Sequence, residues 1–540
     1  MTDIEIPLGK RTKFYRFFEM LPAILSYGII ISVVVFAIFA PIVSAIIILL
    51  IVLMMFVKAL GMAFRTLQGY VNFKKTSELD WSRRLGNLSH PAQSLEKVLK
   101  LDQKIFGIKH HITNLEHIIA NPKEYPVPED IYHGVFVFIY KESYEVVKPT
   151  IEALIKSNYD SKRMYLVLAY EERGGQSAED VVKKIAKEYK GKFADILAYK
   201  HPDGLKDEVI GKGPNATYAG EKFVKYVKEN KLKAENIIIT TLDADNRVDY
   251  NYFPYLTYEW IVNPKRQKVS FQPICLFTNN IWDVPAPMRV MAVGNSFWNV
   301  ISSMRPHLLR NFASHAQGLQ ALIEMDFWSK RTIVEDGHQY WRSYFFFDGD
   351  YSVVPLRVAV GQDAVLSSTY RKSLVAQFIQ VRRWAYGASD VPYVANQIRK
   401  RNKKTKFWPA FTRWVRLLDS HVTQAAIAPI IAFGGWIPLL INPESSRELV
   451  VHELPMAIGM IQQVAMVGIL ITVFTSLAML PPRPKRYTKK RSFLMILQWF
   501  LMPVTSICYA SASAYYSQTR LLFARYFTVF ETTDKNTQKK

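Results

Sequence analysis

The amino-acid sequence predicts an α/β domain with a mostly parallel sheet, inserted between membrane-spanning helices at its two ends. Apolar residues are concentrated at both ends of the 540-residue chain. Between Tyr132 and about Trp384, short apolar strands alternate with amphipathic helices, beginning with GVFVFIY, VVKPTIEALIKS and MYLVLAY. Strands that alternate with helices of this length indicate crossover connections and therefore a mostly parallel sheet.

The N-terminal apolar region predicts a hairpin of two membrane spans over residues 1–75. From Leu21 to Phe64 only Lys58 is charged, which leaves room for two spans of roughly 20 residues, with a turn at Pro41. This stretch is too long for a secretory signal peptide. Basic residues flank it on both sides and place its two ends in the cytosol by the positive-inside rule. They are Lys10, Arg11, Lys13 and Arg16 before it, and Arg65, Lys74 and Lys75 after it.

Residues 76–130 are polar and predict a helical connector, which leads into a catalytic domain over 131–390. The basic and aromatic segment 391–420 predicts a helix that lies on an anionic membrane surface. Val422–Ile441 and Leu454–Leu480 predict two further spans, with an acidic loop outside between them and a basic loop inside after them. The last apolar stretch, Phe493–Tyr516, is interrupted by Pro503, and we expect it to re-enter or lie on the membrane. The C-terminal region 421–540 then ends in a cytosolic tail.

Charge and cysteine content exclude two classes of protein. The formal charge of +23 comes largely from Lys and Arg that flank apolar segments. This distribution is typical of membrane topology and predicts no nucleic-acid partner. The two cysteines, Cys275 and Cys508, exclude a disulfide framework and a cysteine-rich metal site.

The first candidate site is the acidic pair Asp243 and Asp245, directly after the apolar run Ile237–Thr241. Two carboxylates separated by one residue at the carboxyl end of a strand can approach one hard divalent cation together with diphosphate oxygens. An ordinary acidic turn explains the pair equally well when it is considered alone.

The second candidate site is the pair Glu335 and Asp336. A transfer reaction with a cation on the leaving-group side needs a separate base to take the proton of the attacking hydroxyl. Asp336 is the candidate for that base. The alternative is a negative charge that stabilises a helix N-terminus.

The third candidate site is Gln380, Arg383 and Trp384, which share one face of a predicted helix. A guanidinium group can hold phosphate oxygens in a fork, and an indole ring can stack on a sugar. The alternative is an interfacial helix with snorkelling arginines and an aromatic anchor.

The three motifs, in this order and before C-terminal spans, resemble the membrane-integral family-two glycosyltransferases, including cellulose-synthase-like and hyaluronan-synthase-like enzymes. The resemblance covers most of the chain. It implies a GT-A catalytic fold, which is Rossmann-like, an inverting mechanism, Mg²⁺ or Mn²⁺, and a nucleotide-diphosphate sugar donor. By this resemblance Asp243 and Asp245 bind the metal and the nucleotide, and Asp336 is the catalytic base. Glu335, Gln380, Arg383 and Trp384 form the acceptor and diphosphate motif.

Weaker correspondences concern the donor. Tyr140 and Glu142 resemble a turn that contacts the nucleotide base and ribose, and Lys212 resembles a Gly-Lys loop near the diphosphate. The family usually has an aspartate after the second strand, whereas this chain has Glu171 and Glu172, so the base specificity stays open. The segment 313–319 also differs from the family, which makes an unusual acceptor plausible.

The sequence therefore predicts an integral membrane enzyme of the cell membrane, with a cytosolic catalytic domain that transfers sugar to a glycan or lipid acceptor. It leaves open whether the enzyme is processive or adds a single sugar to a lipid. A non-catalytic membrane transport subunit is the alternative from a different class. His315 and His338 lie near the acidic motifs, and we expect structural roles for both.

Overall fold

The computed structural model of the protein describes residues 4–532. Residues 533–540 of the predicted cytosolic tail lie outside the described residues. The strands are β1 (Tyr132–Ile139), β2 (Met164–Glu171), β3 (Asp195–His201), β4 (Ile237–Asp243), β5 (Arg247–Val248), β6 (Val269–Leu276), β7 (Ala316–Gly318) and β8 (Ser352–Gly361). The helices are α1 (Lys13–Phe39), α2 (Pro41–Ser77), α3 (Trp81–Gly86), α4 (Pro91–Leu99), α5 (Ile108–Ala120), α6 (Tyr144–Lys156), α7 (Gly175–Glu188), α8 (Lys212–Glu229), α9 (Tyr252–Val262), α10 (Ala286–Ser303), α11 (Leu319–Glu324), α12 (Glu335–Phe346), α13 (Tyr370–Ala385), α14 (Asp390–Lys400), α15 (Phe407–Phe433), α16 (Ile437–Ile441), α17 (Leu449–His452), α18 (Leu454–Met479), α19 (Lys489–Leu497), α20 (Met502–Thr505) and α21 (Ala512–Leu522).

One sheet organises the α/β domain, with the strand order β3-β2-β1-β4-β7-β6-β8-β5. Strands β1 to β4 pair in parallel, and β6 pairs in parallel with β8. Only the short strands β7 and β5 run antiparallel to their neighbours. The predicted α/β domain with a mostly parallel sheet between apolar terminal helices is confirmed.

Alternating side chains explain why β1 and β2 are mostly apolar. In β1, Val135 and Val137 enter the core on one face of the sheet, whereas Phe136 and Phe138 enter the core on the other. Successive side chains of a strand point to opposite faces, so a strand covered by helices on both faces needs apolar residues at every position.

The register of the parallel strands brings their carboxyl ends to one edge. Phe138 in β1 pairs with Asp243 in β4, and Ile139 pairs with Tyr170 in β2. The residues that follow β1, β2 and β4 therefore meet at the same edge of the sheet, where ligands bind in open α/β sheets.

The connector folds onto the domain through aromatic side chains. Trp81 at the start of α3 stacks on Tyr255 of α9, with ring centroids 3.8 Å apart. His111 of α5 lies 2.8 Å from the hydroxyl of Tyr258, also in α9. Helices α3 to α5 thus form one packed layer with α9.

Five helical segments among residues 4–532 are long and apolar enough to cross a membrane. They are Lys13–Phe39, Pro41–Ser77, Phe407–Ile441, Leu454–Met479 and Lys489–Leu522. The predicted turn of the hairpin is present, because α1 ends at Phe39 and Pro41 opens α2. Proline suits the first turn of a helix, where its missing N–H costs nothing.

The basic segment 391–420 does not form the single helix that the sequence predicts. Most of it is divided between α14, whose residues from Asp390 to Ile398 are buried, and α15, which continues without a break into the apolar segment. The two helices are separated by residues 401–406. There the side chain of Asn402 accepts hydrogen bonds from the N–H groups of Lys404 and Thr405, which fixes a turn in place of a helical backbone.

The last apolar segment, Lys489–Leu522, begins and ends against the α/β domain. Near its start, Arg491 donates to the carbonyl of Trp282 at 2.7 Å. Near its end, Ser517 donates to the carbonyl of Arg382 at 2.7 Å. A helix that crossed the bilayer once would place these ends on opposite sides, so the contacts favour the predicted re-entrant or interfacial course.

This course predicts the side from which each end can be labelled. In a Cys508→Ser background, cysteines at Thr488 and Arg525 should react with a membrane-impermeant maleimide from the same side as a cysteine at Lys225 in the α/β domain. A cysteine at Glu448, in the loop before α18, should react only from the opposite side. Labelling of the Arg525 position together with the Glu448 position would contradict the re-entrant course.

Candidate active site

The side chain of Lys212 joins the acidic motifs that the sequence separates. Its ammonium group lies 3.0 Å from Asp243 Oδ1, 3.2 Å from Asp336 Oδ2 and 3.8 Å from Glu335 Oε1. Burial disfavours the charged ammonium, but the negative charges of these three carboxylates outweigh burial and raise the pKa of Lys212. Two of the three predicted motifs therefore meet at one buried cation.

Close backbone packing brings Lys212 to this position. It opens α8, and the next residue is Gly213. A Cβ atom at Gly213 would lie 2.5 Å from the carbonyl oxygen of Ser329 and 3.1 Å from Cβ of Glu335. Only glycine allows this approach, so the start of α8 lies directly against the start of α12.

The turn after β4 holds Asp245 in a buried position next to Asp243. The Oδ2 atom of Asp245 accepts a hydrogen bond from the N–H of Asp363 at 2.8 Å. Asn279 donates to the backbone carbonyl of Asp245 at 2.9 Å. Asp243 thus ends β4 and faces Lys212, whereas Asp245 follows the strand and is fixed by the chain after β8.

The two acidic residues of the second motif lie in different environments. They form the first turn of α12, and the side chain of Glu335 is 4 % exposed whereas that of Asp336 is 21 % exposed. Burial, followed by the negative charge of Asp336, raises the pKa of Glu335 to about 8. Asp336 is therefore the more accessible carboxyl group of the pair.

A histidine and a tryptophan form the buried wall behind Asp336. His315 Nδ1 lies 2.9 Å from the carbonyl oxygen of Phe312 and 3.7 Å from Asp336 Oδ1. Trp328 Nε1 donates to His315 Nε2 at 3.3 Å. Because one ring nitrogen donates and the other accepts, His315 is a neutral imidazole, and burial lowers its pKa.

His338 lies one turn after Glu335 on α12 and contacts Asp390 of α14. Its Nδ1 atom is 2.6 Å from Asp390 Oδ1, and both side chains are buried.

Among residues 4–532, no group of three or more His, Cys, Asp or Glu side chains could hold a metal ion. Any cation at Asp243 and Asp245 would therefore need further ligands from a bound molecule.

The third motif lies on α13 with its members in different surroundings. Burial lowers the pKa of Arg383 to about 10, and the nearby carboxylates of Glu335, Asp243 and Asp336 oppose this shift. Gln380 accepts a hydrogen bond from Gln377 at 3.2 Å. The Trp384 ring packs against Phe277, with centroids 6.1 Å apart. Arg383 is thus the member of this motif that interacts electrostatically with the acidic cluster.

The sequence analysis missed the C-terminal segment, which crosses the site. Val529 pairs with Ile210, just before Lys212. The Phe530 ring lies 3.8 Å from the guanidinium carbon of Arg383, whose Nη1 donates to the carbonyl of Glu531 at 2.6 Å. The Glu531 carboxylate also pairs with Arg382. No local pattern indicates these contacts, which link residues nearly 150 positions apart.

The predicted nucleotide-binding residues surround a further arginine at the ends of β1 and β2. Glu142 accepts hydrogen bonds from the N–H groups of Tyr140 at 2.7 Å and Lys141 at 3.1 Å. The guanidinium of Arg173 stacks on Tyr140, 4.0 Å from the ring centroid, and pairs with Glu171. Arg173 is the second residue that the sequence analysis missed.

Of the two glutamates that the sequence left open, the structure brings Glu171 to this arginine. Glu171 is buried, whereas Glu172 is exposed and accepts a hydrogen bond from the N–H of Asp203 at 3.1 Å. The Nη2 atom of Arg173 is buried and has no hydrogen-bond partner in the protein. A buried donor of this kind is costly unless a ligand accepts from it.

Comparisons with known proteins give no family. No family model matches the chain, and no curated protein is similar to it at a significant level. A mannosyltransferase from Pyrobaculum calidifontis, solved with GDP-Man and Mn²⁺, has 12 % identity and a TM-score of 0.41, over 86 % of this chain and 100 % of that one. Residues 1–349 of S. aureus TarS, solved with UDP, have 10 % identity and a TM-score of 0.34, over 63 % and 90 %. GalNAc-T7, solved with UDP, GalNAc and Mn²⁺, has 11 % identity and a TM-score of 0.30, over 56 % and 57 %.

The raised pKa of Glu335 predicts how stability depends on pH. A carboxyl group whose pKa is raised on folding stabilises the folded state below its unfolded pKa, and this contribution is lost as the pH rises through the folded pKa. The wild type should therefore lose stability between about pH 4.5 and pH 8 relative to Glu335→Gln. Thermal unfolding of both proteins in detergent across this range measures the difference. A difference that stays constant with pH would contradict the assignment.

Proposed function

We propose that the protein is a glycosyltransferase with a GT-A fold, which transfers a sugar from a nucleotide-diphosphate donor to an acceptor at the membrane. The observation that carries this proposal is the contact of Lys212 with both acidic motifs. Asp243 ends the central strand β4, and Asp336 lies in the first turn of α12, yet both lie within 3.2 Å of one ammonium group. The two acidic motifs thereby supply a leaving-group side and an acceptor side next to one ammonium group.

The cationic groups suit the departure of a nucleoside diphosphate. When the bond between the anomeric carbon and the diphosphate breaks, negative charge develops on the leaving oxygen. Lys212 and Arg383 place positive charge next to Asp243, and Arg383 can hold phosphate oxygens in a fork. Burial raises the pKa of Glu335 and so favours its neutral form, which reduces repulsion of the diphosphate.

Asp243 and Asp245 fit a divalent cation that arrives with the donor. Both offer hard carboxylate oxygens in one turn, the ligand type that Mg²⁺ and Mn²⁺ prefer. Two protein ligands leave the remaining positions to diphosphate oxygens and water. When bound, such a cation would stabilise the negative charge of the leaving diphosphate.

Asp336 is suited to the acceptor side. Its carboxylate is partly exposed, while its neighbours Glu335 and His315 are buried. It can take the proton of an acceptor hydroxyl while that oxygen attacks the anomeric carbon. A single displacement of this kind inverts the configuration at the anomeric carbon, so we propose an inverting mechanism.

The neighbouring helices favour an acceptor that is held at the membrane. Helix α13 carries Arg383, and its residues Phe378 and Arg382 accept hydrogen bonds from Ser513 and Ser517 of the last apolar segment. A polysaccharide and a lipid both suit this position. Incubation with a labelled donor separates them, because a processive enzyme yields a ladder of long products and a lipid glycosyltransferase yields one addition.

The proposal predicts the result of removing the base. Asp336→Asn keeps the shape of the side chain but cannot accept the proton, so release of nucleoside diphosphate should fall at least about a hundredfold. The assay offers the purified protein a panel of nucleotide sugars with Mg²⁺ or Mn²⁺. Asp180→Asn, an exposed aspartate on α7, is the control and should keep wild-type activity. Full activity of Asp336→Asn would refute the assignment of the base.

The stacked arginine predicts an effect on donor binding. Arg173→Ala removes a buried donor group next to Tyr140, so the KM for the nucleotide sugar should rise by about tenfold with a smaller change in kcat. Lys187→Ala, an exposed change on α7, is the control. A change confined to kcat would show that Arg173 does not contact the bound donor.

A further inference from the structure

Three arginines, Arg65 of α2, Arg305 after α10 and Arg416 of α15, lie on the elements that meet where α2 passes between α10 and α15, outside the site described above. One face of α2 carries Lys58, Arg65 and Gly69, because these residues are spaced by seven and four positions. Lys58 pairs with Asp419 of α15 at 3.7 Å. Gly69 meets the end of α10, where Met304 Cγ would lie 3.2 Å from an added Cβ. Arg65 therefore lies between the contact with α15 and the contact with α10.

The other two arginines adjoin these contacts. Arg305 directly follows Met304, and Arg416 precedes Asp419 by three residues, which places it on the same face of α15. Burial lowers the pKa of Arg305, and the positive charges of Arg65 and Arg416 lower it further. Asp419, the nearby carboxylate on α15, is paired with Lys58. Like charges repel, so this concentration of positive charge favours the binding of an anion nearby.

The position of Arg65 along α2 places these arginines at the level of the lipid headgroups. At 1.5 Å per residue, Arg65 lies about 36 Å along α2 from Pro41, whereas the hydrocarbon core of a bilayer is about 30 Å thick. Exposed apolar side chains flank the arginines on the same helices: Phe64 and Leu67 on α2, and Val415 on α15. Phosphate would thus meet guanidinium groups at the level where acyl chains meet apolar side chains.

We propose that Arg65, Arg305 and Arg416 bind the phosphate group of an anionic phospholipid. Guanidinium groups are the preferred ligands of phosphate, because their planar forks match its oxygens. A phospholipid supplies the anion that the cluster needs and apolar chains for Phe64, Leu67 and Val415. The site stands apart from the proposed sugar transfer and does not depend on it.

Native mass spectrometry of the full-length protein in mild detergent tests this site. The probes are dioleoyl phosphatidylglycerol and dioleoyl phosphatidylcholine, offered at equal concentration, and inorganic phosphate alone. The wild type should retain phosphatidylglycerol in preference to phosphatidylcholine. Each single change, Arg65→Gln, Arg305→Gln or Arg416→Gln, should weaken phosphatidylglycerol binding by about fivefold, since each basic residue near an anionic lipid contributes on that scale.

A charge-matched control distinguishes a specific lipid site from nonspecific attraction between the anionic lipid and the basic protein. Lys225→Gln, Lys228→Gln and Lys233→Gln together remove three positive charges from the exposed surface of the α/β domain, and this variant should bind phosphatidylglycerol like the wild type. Three results would overturn the proposal: equal retention of the two lipids, wild-type binding by all three arginine variants, or inorganic phosphate bound as tightly as the lipid. The single variants keep the test decisive if the triple arginine variant fails to fold.

Discussion

The buried ammonium group of Lys212 is the constraint on which the arrangement of the site depends. A buried charge is costly unless opposite charges and hydrogen bonds compensate it. Lys212 finds that compensation in Asp243 and Asp336, although Asp336 lies 124 positions further along the chain. These contacts form only when the end of β4, the start of α8 and the start of α12 lie next to one another. Gly213 allows the start of α8 to approach the start of α12 closely.

Residues from the N-terminal and C-terminal segments contact the helices that carry this cluster. The N-terminal residue Glu5 pairs with Arg342 on α12, the helix that begins with Glu335 and Asp336. From the other end of the chain, Phe530 and Glu531 contact Arg383. Residues near both ends of the described chain thus touch the elements that form the acidic cluster.

Much of the fold follows from local sequence patterns. Strands β1, β2 and β4 are mostly apolar and buried because both faces of the sheet are covered, and the alternation of strands with helices predicts parallel pairing. The acidic motifs lie at the end of β4 and at the start of α12. The predicted single helix over 391–420 fails at Asn402, since a side-chain turn there replaces helical hydrogen bonds, and charge composition alone does not reveal such a turn.

The sequence by itself determined the mostly parallel sheet, the apolar helices at both ends and the identity of the acidic residues, because periodicity and turn chemistry are local properties of the chain. Only the tertiary structure decided that Glu171 rather than Glu172 meets Arg173, and that Glu335 is buried while Asp336 stays accessible. It also decided that Phe530 and Glu531 reach Arg383. These outcomes depend on burial and on contacts between distant segments. They form only when distant segments pack together, so no local stretch of sequence predicts them.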